Sequence, residues 1–234
     1  QWLYYLCEHV EGGTLAKWIE TNNKRDLEQV LDITEQVVRG VRSLHRKETL
    51  HQDLKPANIV LARDGEAKLI DFGSCLVAGL NEIAPPFDRD TILGTATYAA
   101  PEYKLNRSGS VRSDQFSIAM ITYEMLTGHL PFGSAFDRCQ TRQDFSRLKY
   151  EPAYLHNPMV PAWMDGALRK ALQFSPELRY ESLSEFVFDL RHPNQKFACL
   201  KNQPLIERRP LFFWQITCVL LLLSHVLTLW LRPL

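Results

Sequence analysis

"LHQDLKPANIVL", residues 50 to 61, sets an aspartate, a lysine and an asparagine at positions 53, 55 and 58, with Pro56 between them and apolar residues on both sides. A second aspartate follows in "LIDFG", residues 69 to 73. Phosphoryl transfer from a nucleotide asks for few protein groups. It needs a carboxylate to orient the attacking hydroxyl and take its proton, and a cation near the moving phosphoryl group. It also needs oxygen ligands for Mg²⁺, a hard ion that takes carboxylates and amides. Asp53 suits the first task, Lys55 the second, and Asn58 with Asp71 the third. Each residue alone is at home in an ordinary polar loop. The signal lies in their combination, with Asp-Phe-Gly placed one short hairpin downstream.

The hairpin is read from residues 57 to 62 and 67 to 70, two apolar runs joined by "RDGE", in which Asp64-Gly65 is a tight-turn pair. Upstream, residues 1 to 10 read as a strand, "EGG" as a turn and "TLAKWIE" as a short amphipathic helix. Residues 26 to 46 repeat apolar side chains at intervals of mostly three and four, which predicts a long helix. Downstream, residues 73 to 99 are irregular, and a stretch of that length in a compact domain is usually functional or mobile. "DQFSIAMITYEMLT", residues 114 to 127, is an apolar helix ended by Gly128 and Pro131, and Asp114 at its start reads as an N-cap. Helices near 140 to 149, 161 to 173 and 181 to 191 complete a mainly α body with a few short strands.

The 234 residues hold 27 basic and 27 acidic side chains, so nothing in the charge suggests a polyanionic partner such as a nucleic acid. Five cysteines without CxxC spacing argue against a zinc site or a disulfide framework and fit a reducing compartment. The tail differs from the body. Leu211 to Leu231 runs 21 residues without a formal charge. A helix of that length spans about 30 Å, the hydrocarbon thickness of a bilayer. Trp214 and Trp230 stand near its ends. Arg191, Lys196, Lys201, Arg208 and Arg209 precede it, whereas only Arg232 follows. That asymmetry predicts a single-pass, C-terminally anchored membrane protein with its body in the cytoplasm. Gln215, Thr217, Ser224, His225 and Thr228 within the span admit two readings. They form a helix–helix face that would make a homodimer, or the Ser and Thr hydroxyls bond their own backbone.

"HQDLKPANIVL", "LIDFG", "GTATYAAPE" and "DQFSIAMITYEMLTG" resemble, in order, the signatures of a eukaryotic-type (Hanks-type) serine/threonine protein kinase. The resemblance covers about residues 1 to 192 and implies the C-terminal lobe of the catalytic domain, acting with ATP and Mg²⁺ on protein substrates bearing serine or threonine. It implies Asp53 as the residue that accepts the hydroxyl proton and Lys55 as the neutraliser of γ-phosphate charge. Thr95 would bridge these two, and Asn58 and Asp71 would be the metal ligands. Phe72 would pack behind the site, and Gly73 would permit the turn that Asp71 needs. "YYLCEHVEGGTL" resembles the hinge between lobes, with backbone groups of Glu8 and Val10 on adenine, Cys7 behind the base, Thr14 near a ribose hydroxyl and Val60 beneath the base. Glu102 would pair with Arg179, and Asp114 would anchor the backbone of His51 and Gln52.

Position 52 departs from the family, which usually has arginine there to bind a phosphate on the activation segment. A neutral glutamine makes no charge-assisted bidentate contact, so weak dependence on that phosphorylation is expected. The chain also begins at the hinge, without a Gly-rich loop, which reads as a piece of a longer protein that alone would bind ATP weakly. Expected limits are a kinase domain over 1 to 195, a basic linker over 196 to 210 and a transmembrane helix over 211 to 231. Residues 157 to 194 with the C-terminal anchor are similar to bacterial proteins that fuse a serine/threonine phosphatase to a kinase. Two other readings are a non-catalytic pseudokinase that binds partners and a small-molecule kinase of related fold. "GTATYAAPE", which resembles a peptide-substrate platform, weighs against the latter.

Overall fold

The computed structural model describes residues 8–22, 25–77, 97–198 and, in the tail, 214, 215, 217, 218, 220 and 221. The body, up to Ala198, and the tail are separate units. Helix α4, Val111–Thr127, runs through the middle of the body and is buried on nearly every side. Its Phe116, Ile118, Met120, Ile121, Tyr123 and Met125 are each almost wholly shielded from water. Burying a side chain of this size contributes about 1.5–3 kcal/mol, so this one helix supplies much of the core. Helix α2, Leu27–His45, packs against it and buries Val30, Leu31, Ile33, Val37, Val38 and Val41, at the spacing that the sequence pattern predicts.

Before α2 come β1, Gly12–Thr14, and α1, Leu15–Thr21. After it come β2, Thr49–Leu50, then β3, Ile59–Ala62, β4, Ala67–Leu69, and β5, Leu76–Val77. Strands β1, β3 and β4 form one antiparallel sheet with β3 central, and β2 pairs with β5 in a second. The rest of the body is helical: α3, Pro101–Lys104; α5, Arg142–Arg147; α6, Ala153–His156; α7, Ala162–Ala171; α8, Leu183–Arg191; and α9, Gln195–Ala198. Phe197 of α9 sits so close to Gly166 of α7 that a Cβ there would lie 2.4 Å from it.

Several local expectations change. "EGG" is not a turn: Gly12 and Gly13 open β1, and a Cβ at Gly12 would lie 2.1 Å from the Leu61 carbonyl oxygen. The glycine is there to let two strands approach. Residues 8 to 10 are not in a strand, and residues 1 to 7 lie outside the described residues. Residues 56 to 58 form a 3₁₀ turn rather than the start of β3. Asp114 is not the N-cap of α4. The helix starts earlier, capped by Ser110, whose hydroxyl and that of Ser113 complete a reciprocal capping box. Gly128, at φ 74, ends it as predicted.

Among the described residues no helix is long and apolar enough to cross a membrane. Trp214, Gln215, Thr217, Cys218, Leu220 and Leu221 are helical, and the rest of the span 211 to 231 lies outside the described residues, as does most of the linker.

Candidate functional site

The segment between β2 and β3 carries three of the sequence-nominated residues, and its shape is set by Asp114. That carboxylate, 1% exposed, accepts from the backbone N–H of His51 at 3.0 Å and of Gln52 at 3.1 Å, and it pairs with His45 Nε2 at 2.8 Å. Gln52 adopts φ 66, a left-handed conformation, and the Asp53 N–H donates back to the His51 carbonyl at 2.9 Å. A buried carboxylate with three donors thus holds a strained turn whose next residue is Asp53. His45 went unnoticed in the sequence, where it is only a last-turn residue of an amphipathic helix.

Asp53, Lys55 and Asn58 converge. Lys55 Nζ lies 2.8 Å from Asp53 Oδ2. Asn58 Nδ2 donates to the same Oδ2 at 3.0 Å and to the Asp53 carbonyl at 2.9 Å. With its amino end committed to Asp53, the amide turns its Oδ1 the other way, as an acceptor. Asp71 follows Ile70, whose N–H donates to the Asn58 carbonyl at 2.9 Å, and its charge, like that of Asp53, acts on the His51 ring. Asp71 itself is at φ 62, and its Oδ1 accepts from the Gly73 N–H at 3.2 Å. The left-handed residue here is therefore Asp71 rather than Gly73. Glycine at 73 still matters, since a Cβ would crowd Asp71 Oδ1 at 3.2 Å.

His51 is the shared neighbour of these carboxylates. Its ring is fully buried, and neither nitrogen has a hydrogen-bond partner among the described residues. Burial holds its pKa below the ordinary histidine value against the pull of Asp114, Asp53 and Asp71, so the ring is neutral. Phe72 leans on His51, ring centroids 5.7 Å apart, and is otherwise 52% exposed rather than packed away. Cys75 nearby is pushed up to about 11 by burial and by Asp114 and Asp71, which makes it an inert thiol.

The nominated nucleotide cradle lies along β1 and β3. Thr14 pairs with Val60 across the strands, and Val60 is buried. The Thr14 hydroxyl accepts from the Lys17 N–H at 3.3 Å and caps α1. Glu8 is exposed, its carboxylate 2.7 Å from Lys68 Nζ, and Val10 is half-buried. Thr95 and Cys7 lie outside the described residues.

The segment beyond the site is clamped to the helical body. The Tyr98 hydroxyl donates to Glu124 Oε2 at 2.6 Å, and Ser117 Oγ donates to the Tyr98 carbonyl at 2.8 Å. Glu102 and Arg179, 4% and 3% exposed, form a bidentate pair with both contacts at 2.8 Å. Burial pushes the Glu102 carboxyl up, but Arg179 and Ser113 outweigh it and hold the group below the usual carboxylate range.

Asn58 Oδ1 and the Asp71 carboxylate suit a hard divalent cation, which takes one or two protein oxygens and fills its other positions with phosphate and water. Among the described residues no group of three or more histidine, cysteine or acidic side chains could hold a metal by itself.

Comparison with known proteins bears on the same residues. Residues 1–188 match the protein kinase domain family. The chain is 30% identical over 202 residues to a probable serine/threonine-protein kinase of Streptomyces coelicolor, covering 86% of this chain and 29% of that protein. It is 28% identical over 188 residues to the serine/threonine-protein kinase PrkC of Bacillus subtilis, covering 80% and 28%. It is also 28% identical over 187 residues to the serine/threonine-protein kinase PknB of Mycobacterium leprae, covering 80% and 30%. The chain thus spans less than a third of the length of each of these relatives.

Proposed function

The chain belongs to the protein kinase domain family, and from that premise we propose that the whole protein transfers the γ-phosphate of ATP to serine or threonine hydroxyls of protein substrates. The observation that carries this reading is the convergence of Lys55 and Asn58 on one oxygen of Asp53. Asp53 orients the incoming hydroxyl and takes its proton, Lys55 offsets charge at the γ-phosphate, and Asn58 fixes the Asp53 carboxylate while presenting its own Oδ1. Asn58 and Asp71 would hold magnesium, which would neutralise phosphate charge. Glu8, Val10, Thr14 and Val60 receive the adenosine. The names of the relatives above support serine and threonine as acceptors. Gln52 supports low dependence on activation-segment phosphorylation.

The tail supports a membrane anchor with the body on the cytoplasmic side of a bacterial inner membrane. An uncharged run over 211 to 231 follows a basic stretch, and its described residues are helical. The similarity over residues 157 to 194 supports a parent that also carries a phosphatase domain.

The test is labelled ATP with a serine, threonine and tyrosine peptide library and, in parallel, a pool of metabolites. Label on serine and threonine peptides is expected. Magnesium–ATP binding without transfer would identify a binding module instead, and label on metabolites alone would identify a small-molecule kinase.

A further inference from the structure

The last four carbonyls of a helix have no partner within it. At the C-terminal end of α4 all four are met. The Glu124 carbonyl accepts from the Gly128 N–H at 2.7 Å and from Arg25 Nη1 at 3.2 Å, and the same Nη1 reaches the Met125 carbonyl at 3.0 Å. Asn157 Nδ2 donates to the Leu126 carbonyl at 2.9 Å, and His129 Nδ1 lies 3.0 Å from that of Thr127. Arg25 brings a full positive charge, which suits the negative end of a helix. It comes from just before α2, 99 residues from Glu124 along the chain. Gly128 leaves room for it, since a Cβ there would lie 2.2 Å from Arg25 Nη2.

Arg25 holds the backbone of Glu124, and the Glu124 carboxylate holds Tyr98. That carboxylate accepts from the Tyr98 hydroxyl at 2.6 Å, while Ser117 Oγ, further up the same helix, donates to the Tyr98 carbonyl at 2.8 Å. Tyr98 is therefore fixed to α4 at both its side chain and its backbone. It belongs to "GTATYAAPE", the stretch that resembles a peptide-substrate platform. Burial pushes the Glu124 carboxyl up, and the Tyr98 hydroxyl and the charge of Arg25 oppose this. We propose that Arg25 is a positioning residue for the peptide substrate. By gripping the end of α4 it sets Glu124, and through Glu124 it sets the Tyr98 part of the platform. The effect on substrate rests on the phosphotransfer reading, whereas the link from Arg25 to Tyr98 does not.

The test compares the whole protein with its Arg25→Met, Arg25→Lys and Tyr98→Phe variants and with the double variant that joins Arg25→Met to Tyr98→Phe. KM for a serine or threonine peptide, KM for ATP, kcat and amide hydrogen exchange over residues 97 to 100 are measured together. Arg25→Met should raise KM for the peptide about tenfold and leave KM for ATP and kcat within about twofold. It should also speed exchange over residues 97 to 100 about tenfold. Arg25→Lys keeps the charge and loses the fork, so it should move the same two quantities about threefold. Should Arg25→Met fail to fold, the lysine variant decides on those two readouts. Tyr98→Phe should match Arg25→Met, and the double variant should be no worse than about either single one, because both act through Glu124. An unchanged KM for the peptide, a KM for ATP that rises with it, or multiplying effects would overturn the proposal. If the unaltered protein transfers no phosphate, the kinase reading fails by itself, and exchange over residues 97 to 100 alone decides for or against the link.

Discussion

Replacing Arg179 with methionine should be among the most damaging single changes in the body. The guanidinium donates to both oxygens of Glu102 at 2.8 Å, to the carbonyls of Gln173 and Arg112 at 2.7 Å and to that of Phe174 at 3.2 Å. It also lies 4.9 Å from the centre of the Phe116 ring. Methionine fills much of that volume and satisfies none of the acceptors. Glu102 would keep Ser113 as its hydrogen-bonding side chain in a site 4% exposed. Removing one partner of a buried pair costs about 3–5 kcal/mol, and the stranded carbonyls place this case near 4. With a urea dependence of about 2 kcal/mol/M the unfolding midpoint should fall by about 2 M. The pH dependence gives a second check. In the native protein the folded pKa of Glu102 is depressed, so its contribution is present above the ordinary carboxylate range and is lost as pH falls through the folded value. Without Arg179, burial raises that pKa, and the variant recovers stability as pH falls and the carboxyl takes up a proton. The gap between the two proteins should therefore narrow from about pH 7.5 to about pH 5. A midpoint shift under about 0.5 M, or a gap that widens on acidification, would refute the reasoning.

Other changes probe other links. Asp114→Asn keeps the shape but turns an amide N–H₂ toward N–H donors, so turnover by the whole protein should fall about 10- to 100-fold; unchanged turnover would mean that the turn at 51–52 holds itself. Lys104, which donates to the Phe136 carbonyl at 2.8 Å, is depressed by burial to about 8 against the opposing pull of Asp137. A lowered amine contributes stability at high pH that is lost as pH falls through the folded value. The native protein should gain on Lys104→Met in urea titrations as pH rises from about 7.5 to about 10, and parallel curves would contradict this. Gly12→Ala should cost about 1–3 kcal/mol by forcing β1 away from the Leu61 carbonyl; an unchanged unfolding midpoint would count against the strand contact.

What the sequence disclosed follows from the range of the forces involved. The 3.6-residue pattern of α2 and the Gly128 stop of α4 are local, and both are read correctly to within a few residues. Asp53, Lys55 and Asn58 lie within six positions of one another, so their meeting at one oxygen needs only a turn. The Glu102–Arg179 pair is 77 residues apart in the chain and was legible only through family resemblance. Contacts set by tertiary approach were misread or missed. Gly12 looks like a turn residue but is a strand residue, because what it meets is the Leu61 carbonyl. Asp114 sits where a cap is expected, yet the cap belongs to Ser110 and the carboxylate reaches across to the Asp53 turn. His45 carries no local pattern that marks it. The importance of His45 comes from α2 bringing it to Asp114.

The account rests on Asp53, Asn58 and Asp71 forming one centre for phosphoryl transfer. The direct measurement is γ-phosphate incorporation into a serine or threonine peptide by the whole protein, beside its Asp53→Asn and Asp71→Ala variants, with magnesium–ATP affinity taken on the same samples. The account predicts incorporation by the unaltered protein. It predicts a loss of at least about 100-fold for Asp53→Asn at unchanged nucleotide affinity, and a loss of both for Asp71→Ala. An Asp53→Asn protein that phosphorylates as fast as the unaltered one would contradict it.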